Sequence, residues 1–340
     1  MPVQYTGVLA ETRAVRTSAG VFDVSHMGIL RVTGPAALGA VQYLLSNDAA
    51  TLDPGDAQYS LLLNDDGGVI DDVIVYREMT PEPQYLVVVN AANAEADLAW
   101  IRPRLASGAA LTDLSEQWDM LAVQGPEAVS LVESLANTGL DSLRHMSGRR
   151  ARVAGVSCFV SRTGYTGEDG VEVLCPEEDV EHLFATIIKA GAQPCGLGAR
   201  DVLRIEAGLP LHGQELSERI SPVEAGLKWP VKPAKGAFIG REAYLCAREM
   251  GPVRRRAGLR LTGRRIAYGG AVVEAMGQRI GEVTSGTFSP SLGCAIAQAY
   301  VRADLAQPDT PVQVETTGGL AKAVVVGLPF IRHGRAVVAV

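Results

Sequence analysis

Asn64-Asp65-Asp66-Gly67-Gly68-Val69-Ile70-Asp71-Asp72-Val73-Ile74-Val75 is a polar, glycine-rich start followed by an alternating run. The start reads as a hairpin turn and the rest as a strand. Successive side chains of a strand point to opposite faces. Val69, Asp71, Val73 and Val75 therefore share one face, and Ile70, Asp72 and Ile74 the other. Both faces are otherwise apolar, which predicts a strand covered on both sides. Asp71 and Asp72 then point apart and do not form a paired-carboxylate site. At least one of them lies where its charged form is costly and its pKa tends to rise. A solvated strand-edge acid, or one bonded to loop amides, is the competing reading. A calcium loop does not fit, because the acid spacing and the closing glutamate are missing.

Outward from this strand, others are predicted at Ile29–Val32, Tyr59–Leu63, Tyr85–Val89, Met120–Val123, Val156–Ser161 and Val171–Cys175. Helices are predicted at Ala94–Leu105, Val180–Ala190 and Gly198–Gly208. Two segments read as one unit used twice. Each runs from a strand into Gly-Pro and then a helical pattern, at Gly34-Pro35 and at Gly125-Pro126. Proline suits a first helical turn, where its missing N–H has no partner to lose. These alternations predict an α+β chain. Beyond about Gly251, short β-rich runs split by glycine turns predict a small all-β barrel or sandwich, with CAREMGPVRRR as the boundary.

A net charge of −7 argues against broad nucleic-acid binding and against docking on an anionic membrane. No apolar run is long enough to span a bilayer, and MPVQYTG has neither part of a secretory signal. The five cysteines, none at CxxC spacing, read as buried thiols in a reducing cytoplasm rather than as disulfides or a zinc site. The absence of GxGxxG and of GxxxxGK[ST] argues against dinucleotide and P-loop chemistry.

Three further features bear on a site. In Arg162-Thr163-Gly164-Tyr165-Thr166-Gly167-Glu168-Asp169-Gly170-Val171-Glu172-Val173, close glycines make a loop able to approach a flat ligand. Glu172 follows within a strand, where a carboxylate can accept a bidentate pair from an amidine-like edge; an edge-strand glutamate is the alternative. Arg200 and Arg204 lie four apart on one helix face and call for an anion, either a ligand carboxylate or protein acids. Trp229, Tyr59 and His26 each read as core residues more readily than as site walls.

Together and in order, these stretches resemble the aminomethyltransferase family of the glycine cleavage system. The resemblance runs through FDVSHMG, NDDGGVIDDVIVY, VVVNAAN, LAVQGPEA, GYTGEDGVEV, GLGARDVLRIEAGLPLHG, SPVEAGLKWPV, KGAFIGRE and GEVTSGTFSPSLG. It implies an antiparallel α+β folate-binding region of two interleaved domains, over residues 1–247. A C-terminal β-barrel domain over 253–337 packs with them around a central cavity. It also implies a cytoplasmic enzyme that moves the carbon of an aminomethyl group from the lipoyl arm of an H-protein to tetrahydrofolate, releasing ammonia. The P- and L-proteins would be functional associates, and no metal, flavin or NAD is implied. The family's key acid falls on Asp72, its folate glutamate on Glu172 and its arginine on Arg200. Its other folate positions fall on Met27, Tyr59, Val88, Asn90, Tyr165, Trp229 and Arg256. The family also carries a helix and a strand ahead of MPVQY that this sequence lacks. A folate-binding paralogue in iron–sulfur cluster maintenance or tRNA modification is the main alternative, but it would carry cysteine where this chain has Ala237.

Overall fold

The computed structural model describes residues 2–338. Its strand Val69–Arg77 lies second in a five-stranded antiparallel sheet, ordered Ala57–Leu63, Val69–Arg77, Tyr85–Val89, Gly28–Thr33, Ala110–Asp113. A second sheet runs Gln193–Pro194, Gly20–Asp23, Trp118–Gln124, Gly170–Pro176, Val156–Ser161, Gly148–Val153. The short Gln193–Pro194 strand pairs in parallel, and the other neighbours are antiparallel. Gly20–Asp23 precedes every strand of the first sheet yet belongs to the second, to which the chain returns at Trp118. This is the interleaving of the two domains.

The apolar faces explain the layering. Leu30, Val32, Val73, Val75 and Val87 of the first sheet bury against Ala37, Ala40, Val41 and Leu44 of the helix Ala37–Leu44. Val123, Val160, Val171 and Val173 of the second bury against Val129 and Val132 of Ala128–Leu135 and against Leu183 and Ile187 of Val180–Lys189. Between the sheets, Phe22, Ile29, Tyr76, Leu86, Val88, Met120, Phe159 and Leu174 form one core. A strand facing two cores is apolar on both sides, as the sequence predicted. The barrel closes in the order Arg254–Leu261, Cys294–Arg302, Gln278–Ser289, Val272–Ala275, Pro311–Thr316, Gly319–Val326 and back to the first strand. Closure leaves no edge among these strands.

The repeated Gly-Pro unit is a structural repeat. Gly34 and Gly125 both have positive φ, at 97° and 132°. A Cβ at Gly34 would lie 2.4 Å from the Gly108 carbonyl oxygen, and one at Gly125 would lie 2.3 Å from that of Ser18. Each of those oxygens accepts a backbone N–H from two residues further on, Ala36 and Glu127 respectively. The prolines sit in the turn just before the helices rather than in their first turn, since the helices begin at Ala37 and Ala128.

The strict alternation expected along this strand fails at Val69 and Ile70. The register against Ala57–Leu63 shifts between Leu62 and Leu63, so that Leu62 faces Asp71 and Leu63 faces Val69. This bulge turns Val69 toward the cluster of Leu61 and Leu63, and Ile70 toward Leu62, Val73 and Val75. From Asp71 onward the alternation holds.

Three of the five free cysteines, Cys158, Cys175 and Cys195, are buried as expected, whereas Cys246 is exposed and Cys294 lies between. Among the described residues no helix is long and apolar enough to cross a membrane.

Candidate active site

Asp71 and Asp72 leave the strand on opposite faces and meet different partners. Asp71 is fully buried. It accepts the Asn90 backbone N–H at 2.9 Å, the Asn90 Nδ2 at 2.8 Å and the Asn93 Nδ2 at 2.6 Å. The loop-amide reading therefore describes Asp71. Asp72 accepts the Tyr59 hydroxyl at 3.0 Å and the same Asn90 Nδ2 at 3.0 Å. The two carboxyls point apart, as expected, but the shared Asn90 amide brings them into one electrostatic unit. Burial, and then the charge of Asp71, pushes Asp72 up to about 7, against the pull of the Tyr59 and Asn90 hydrogen bonds.

Tyr59 owes its place to the facing strand, where it pairs with Ile74. Its ring stacks on Trp229 at 5.3 Å between centroids and 27° between planes. Trp229 is 57% exposed, so it is not a core tryptophan. Burial and the neighbouring Asp72 charge raise the Tyr59 hydroxyl well above its ordinary value, which keeps it a donor.

Glu172 comes from the second sheet and is buried. Its Oε2 accepts the Thr163 hydroxyl at 2.5 Å. Thr163 Oγ1 in turn lies 3.1 Å from the Tyr76 hydroxyl and 2.8 Å from Ser161 Oγ. Burial raises Glu172, while the Thr163 hydrogen bond and the charge of Arg200 pull it back. Thr163, Ser161 and Tyr76 were not singled out from the sequence. Thr163 lies in the quoted glycine loop, but Tyr76 reads as an ordinary strand aromatic.

The two arginines of the helix Leu197–Glu206 separate cleanly. Arg204 is buried and saturated by Asp201 at 2.8 Å, Glu215 at 2.7 Å and Ser285 Oγ at 2.7 Å. Protein acids answer its charge. Arg200 has a buried Nη1 with no partner among the described residues, and its guanidinium lies 5.0 Å over the Tyr165 ring. Both line a cavity of about 380 Å³, together with Met27, His26, Asn90 and Asn93. His26 is exposed on this wall instead of buried in the core.

Of the predicted positions, Met27, Asn90, Tyr165 and Arg200 line this cavity, and Asp72, Tyr59, Val88, Glu172, Trp229 and Arg256 are not among its lining residues. Val88 is buried in the core between the sheets, with Met27 packed against the same cluster. The Tyr165 hydroxyl donates to the Pro210 carbonyl, which fixes its ring. Arg256, on the first barrel strand, donates to the Ala225 and Gly208 carbonyls at 2.9 Å and to Gln298 Oε1 at 2.7 Å. It thereby ties the barrel to the segment below the cavity. The glycine loop differs from its expected role: a Cβ at Gly164 would lie 1.9 Å from Gln124 Oε1. The close approach that Gly164 permits is to the buried Gln124, which also bonds Thr163 O at 3.0 Å. The loop is further held by Arg162 on Asp169 and by Arg16 on Glu168 at 2.6 Å. It presents Tyr165 and Thr163 from a rigid frame.

Residues 1–235 match the family model of the GCVT N-terminal domain, and residues 254–331 match that of the glycine cleavage T-protein C-terminal barrel domain. The chain belongs to the glycine cleavage aminomethyltransferase family. It is 46% identical to an aminomethyltransferase of Geobacillus kaustophilus (strain HTA426), over 98% of this chain and 93% of that relative. It is 44% identical to one from Synechococcus sp. (strain WH7803), with the same coverage. The crystal structure of the glycine cleavage system aminomethyltransferase T from Bartonella henselae superposes with a TM-score of 0.91 at 36% identity, covering 99% of this chain and 92% of that one. As in that family, the chain is a tetrahydrofolate-dependent aminomethyltransferase, and the paralogue alternative is not favoured.

Proposed function

We propose that the chain transfers the carbon of an aminomethyl group, carried on the lipoyl arm of an H-protein, to tetrahydrofolate, with Asp72 as the acid that serves the reaction. The observation that carries this reading is the placement of Asp72: half-buried, held by Tyr59 and Asn90, and poised near neutrality behind the cavity wall that Asn90 lines. When bound, tetrahydrofolate supplies the two nitrogens, N5 and N10, that accept the carbon.

The residues present fit such a ligand. The unpartnered Arg200 Nη1 suits an electronegative edge or a carboxylate, and Glu172 suits an amidine-like edge such as that of a pterin. Met27, Val88, Tyr165, Trp229 and Arg256 complete the proposed folate surroundings. Loss of ammonia from S–CH2–NH3+ develops positive charge on the carbon being moved. Asp72 stabilises that charge as a fixed anion, and in its ionised form it can also take a proton. Tyr59 and Asn90 hold both Asp72 oxygens, which fixes the direction in which the carboxylate faces. Because those donors are in place beforehand, little reorganisation is needed as the charge appears.

The same reading makes the P- and L-proteins functional associates and the cytoplasm the place of action, with neither nucleic acid nor membrane as partner. The purified protein, given aminomethylated H-protein and tetrahydrofolate, is expected to release ammonia and form 5,10-methylenetetrahydrofolate. Folate-independent ammonia release, or none at all from protein that binds folate, would sink the assignment.

A further inference from the structure

Behind the two acids of the strand lies a third. Asp97 sits in the helix Ala94–Ile101, on the side that packs toward Val69–Arg77, and it is fully buried. Neither of its carboxyl oxygens meets a donor among the described residues. It lies one helical turn after Asn93, whose side chain holds Asp71, and the charge of Asp71 acts on its carboxyl. The segment between them is tight: the Asp97 backbone N–H donates to the Asn93 carbonyl at 2.8 Å, and the Asn93 side chain donates to Asp71 at 2.6 Å.

An ionised carboxylate with no donor, buried against a second acid, would carry a large and uncompensated desolvation cost. A carboxylic acid in that position has a proton to give and one acceptor to give it to. A carboxyl kept neutral by an apolar site can serve as a hydrogen-bond donor in this way. We propose that Asp97 is such a neutral acid, whose O–H donates to Asp71 and so completes the shell of donors that holds Asp71, Asn90 and Asp72 in register. Asp97 is a positioning residue; it touches no reacting atom. Burial, followed by the charge of Asp71, displaces its carboxyl upward, in agreement with that form.

With that bond, the chain runs from Asp97 to Asp71, and the observed contacts carry it from Asp71 to the Asn90 amide and from Asn90 to Asp72. Asn90 Nδ2 has only two hydrogens, yet it lies within reach of Asp71 Oδ1, Asp72 Oδ1 and the Asp72 carbonyl. Its orientation therefore depends on how well Asp71 is satisfied by others. The titratable groups facing Asp97 are Asp71 and Asp72. Asp72 also faces Tyr59 and Tyr165, and Arg256 stands near Tyr59.

The inference rests on Asp72 being the working acid, but its first test does not. In an Asp72→Asn background, where Asp72 contributes no carboxyl band, infrared difference spectra with and without Asp97→Asn read Asp97 alone. The protein with Asp97 is expected to show the C=O stretch of a protonated carboxyl at neutral pH, and the Asp97→Asn protein to lack it. Absence of that band overturns the proposal whatever the enzyme turns over. In the ammonia-release assay, Asp97→Asn replaces an O–H donor by an N–H donor and is expected to keep the wild-type pH profile of kcat. Asp97→Ala, which has no donor, is expected to lose about tenfold in kcat with little change in the KM for folate. An Asp97→Asn profile displaced to lower pH would mean that Asp97 carries a charge, and would refute the assignment. So would an Asp97→Ala protein that melts earlier but turns over at the wild-type rate.

Discussion

The strands Val69–Arg77 and Gly170–Pro176 each carry one carboxylate of the proposed site, half-buried Asp72 and buried Glu172, and loss of hydration raises both. Their second neighbours differ in sign. Behind Asp72 stands another acid, Asp71, whose charge pushes it further up, to about 7. At Glu172 the Thr163 hydrogen bond, and then the charge of Arg200, pull it back down. Like charge at close range poises a carboxylate to change its protonation near neutral pH, and opposite charge holds it ionised. The first arrangement suits a group that must respond during a reaction. The second suits a group that recognises a fixed ligand edge.

The largest effect expected from breaking this contrast is at Asp72. Asp72→Asn keeps the shape and the hydrogen-bonding reach but removes the charge. It is expected to lower kcat by about 10²- to 10⁴-fold while tetrahydrofolate still binds, as read by ammonia release and by a separate folate titration. Equal turnover in the variant would remove Asp72 from the mechanism. At Glu172 the expected effect is smaller and of another kind. Glu172→Gln loses a charge-assisted hydrogen bond, worth roughly 1.5–3 kcal/mol, so folate binding should weaken about 10- to 100-fold. Turnover at saturating folate should fall far less. A Glu172→Gln protein with intact affinity and poor kcat would reverse the two roles.

Much of the contrast was legible in the sequence. Period-two alternation separated Asp71 from Asp72, and it holds wherever the strand is regular. It failed at Val69 and Ile70 because a bulge inserts one residue, and nothing in a run of valine and isoleucine marks where a ladder slips. The helix period put Arg200 and Arg204 on one face but could not tell which is saturated. The answer lies in Glu215, in the segment just after the helix, and in Ser285, far along the chain. Trp229 and His26 read as core residues by type, yet both are exposed, and His26 lines the cavity. The glycine loop was recognised as tight, but its neighbour is Gln124, a strand residue with no mark of its own. The link between the two acids through Asn90 was also hidden, since Asn90 follows a different strand.

The smallest expected effects are the most discriminating, because two substitutions beside Asp72 should move one quantity in opposite directions. Activity that needs ionised Asp72 should rise with pH through about 7 and fall away below it. Asp71→Asn removes the charge that raises Asp72, so the acidic limb of the kcat profile should move to lower pH. Tyr59→Phe removes a hydrogen bond that favours the ionised form, so the same limb should move to higher pH. Each shift is expected to be about one pH unit, since one unit corresponds to about 1.4 kcal/mol, the scale of a single hydrogen bond or a close charge in a partly polar site. Disturbed packing alone would lower the rate without moving the limb, and it would not give the two variants opposite signs. A limb that stays in place in both would mean that the group titrating in the rate profile is not Asp72, and the comparison between the two strands would then lose its functional meaning.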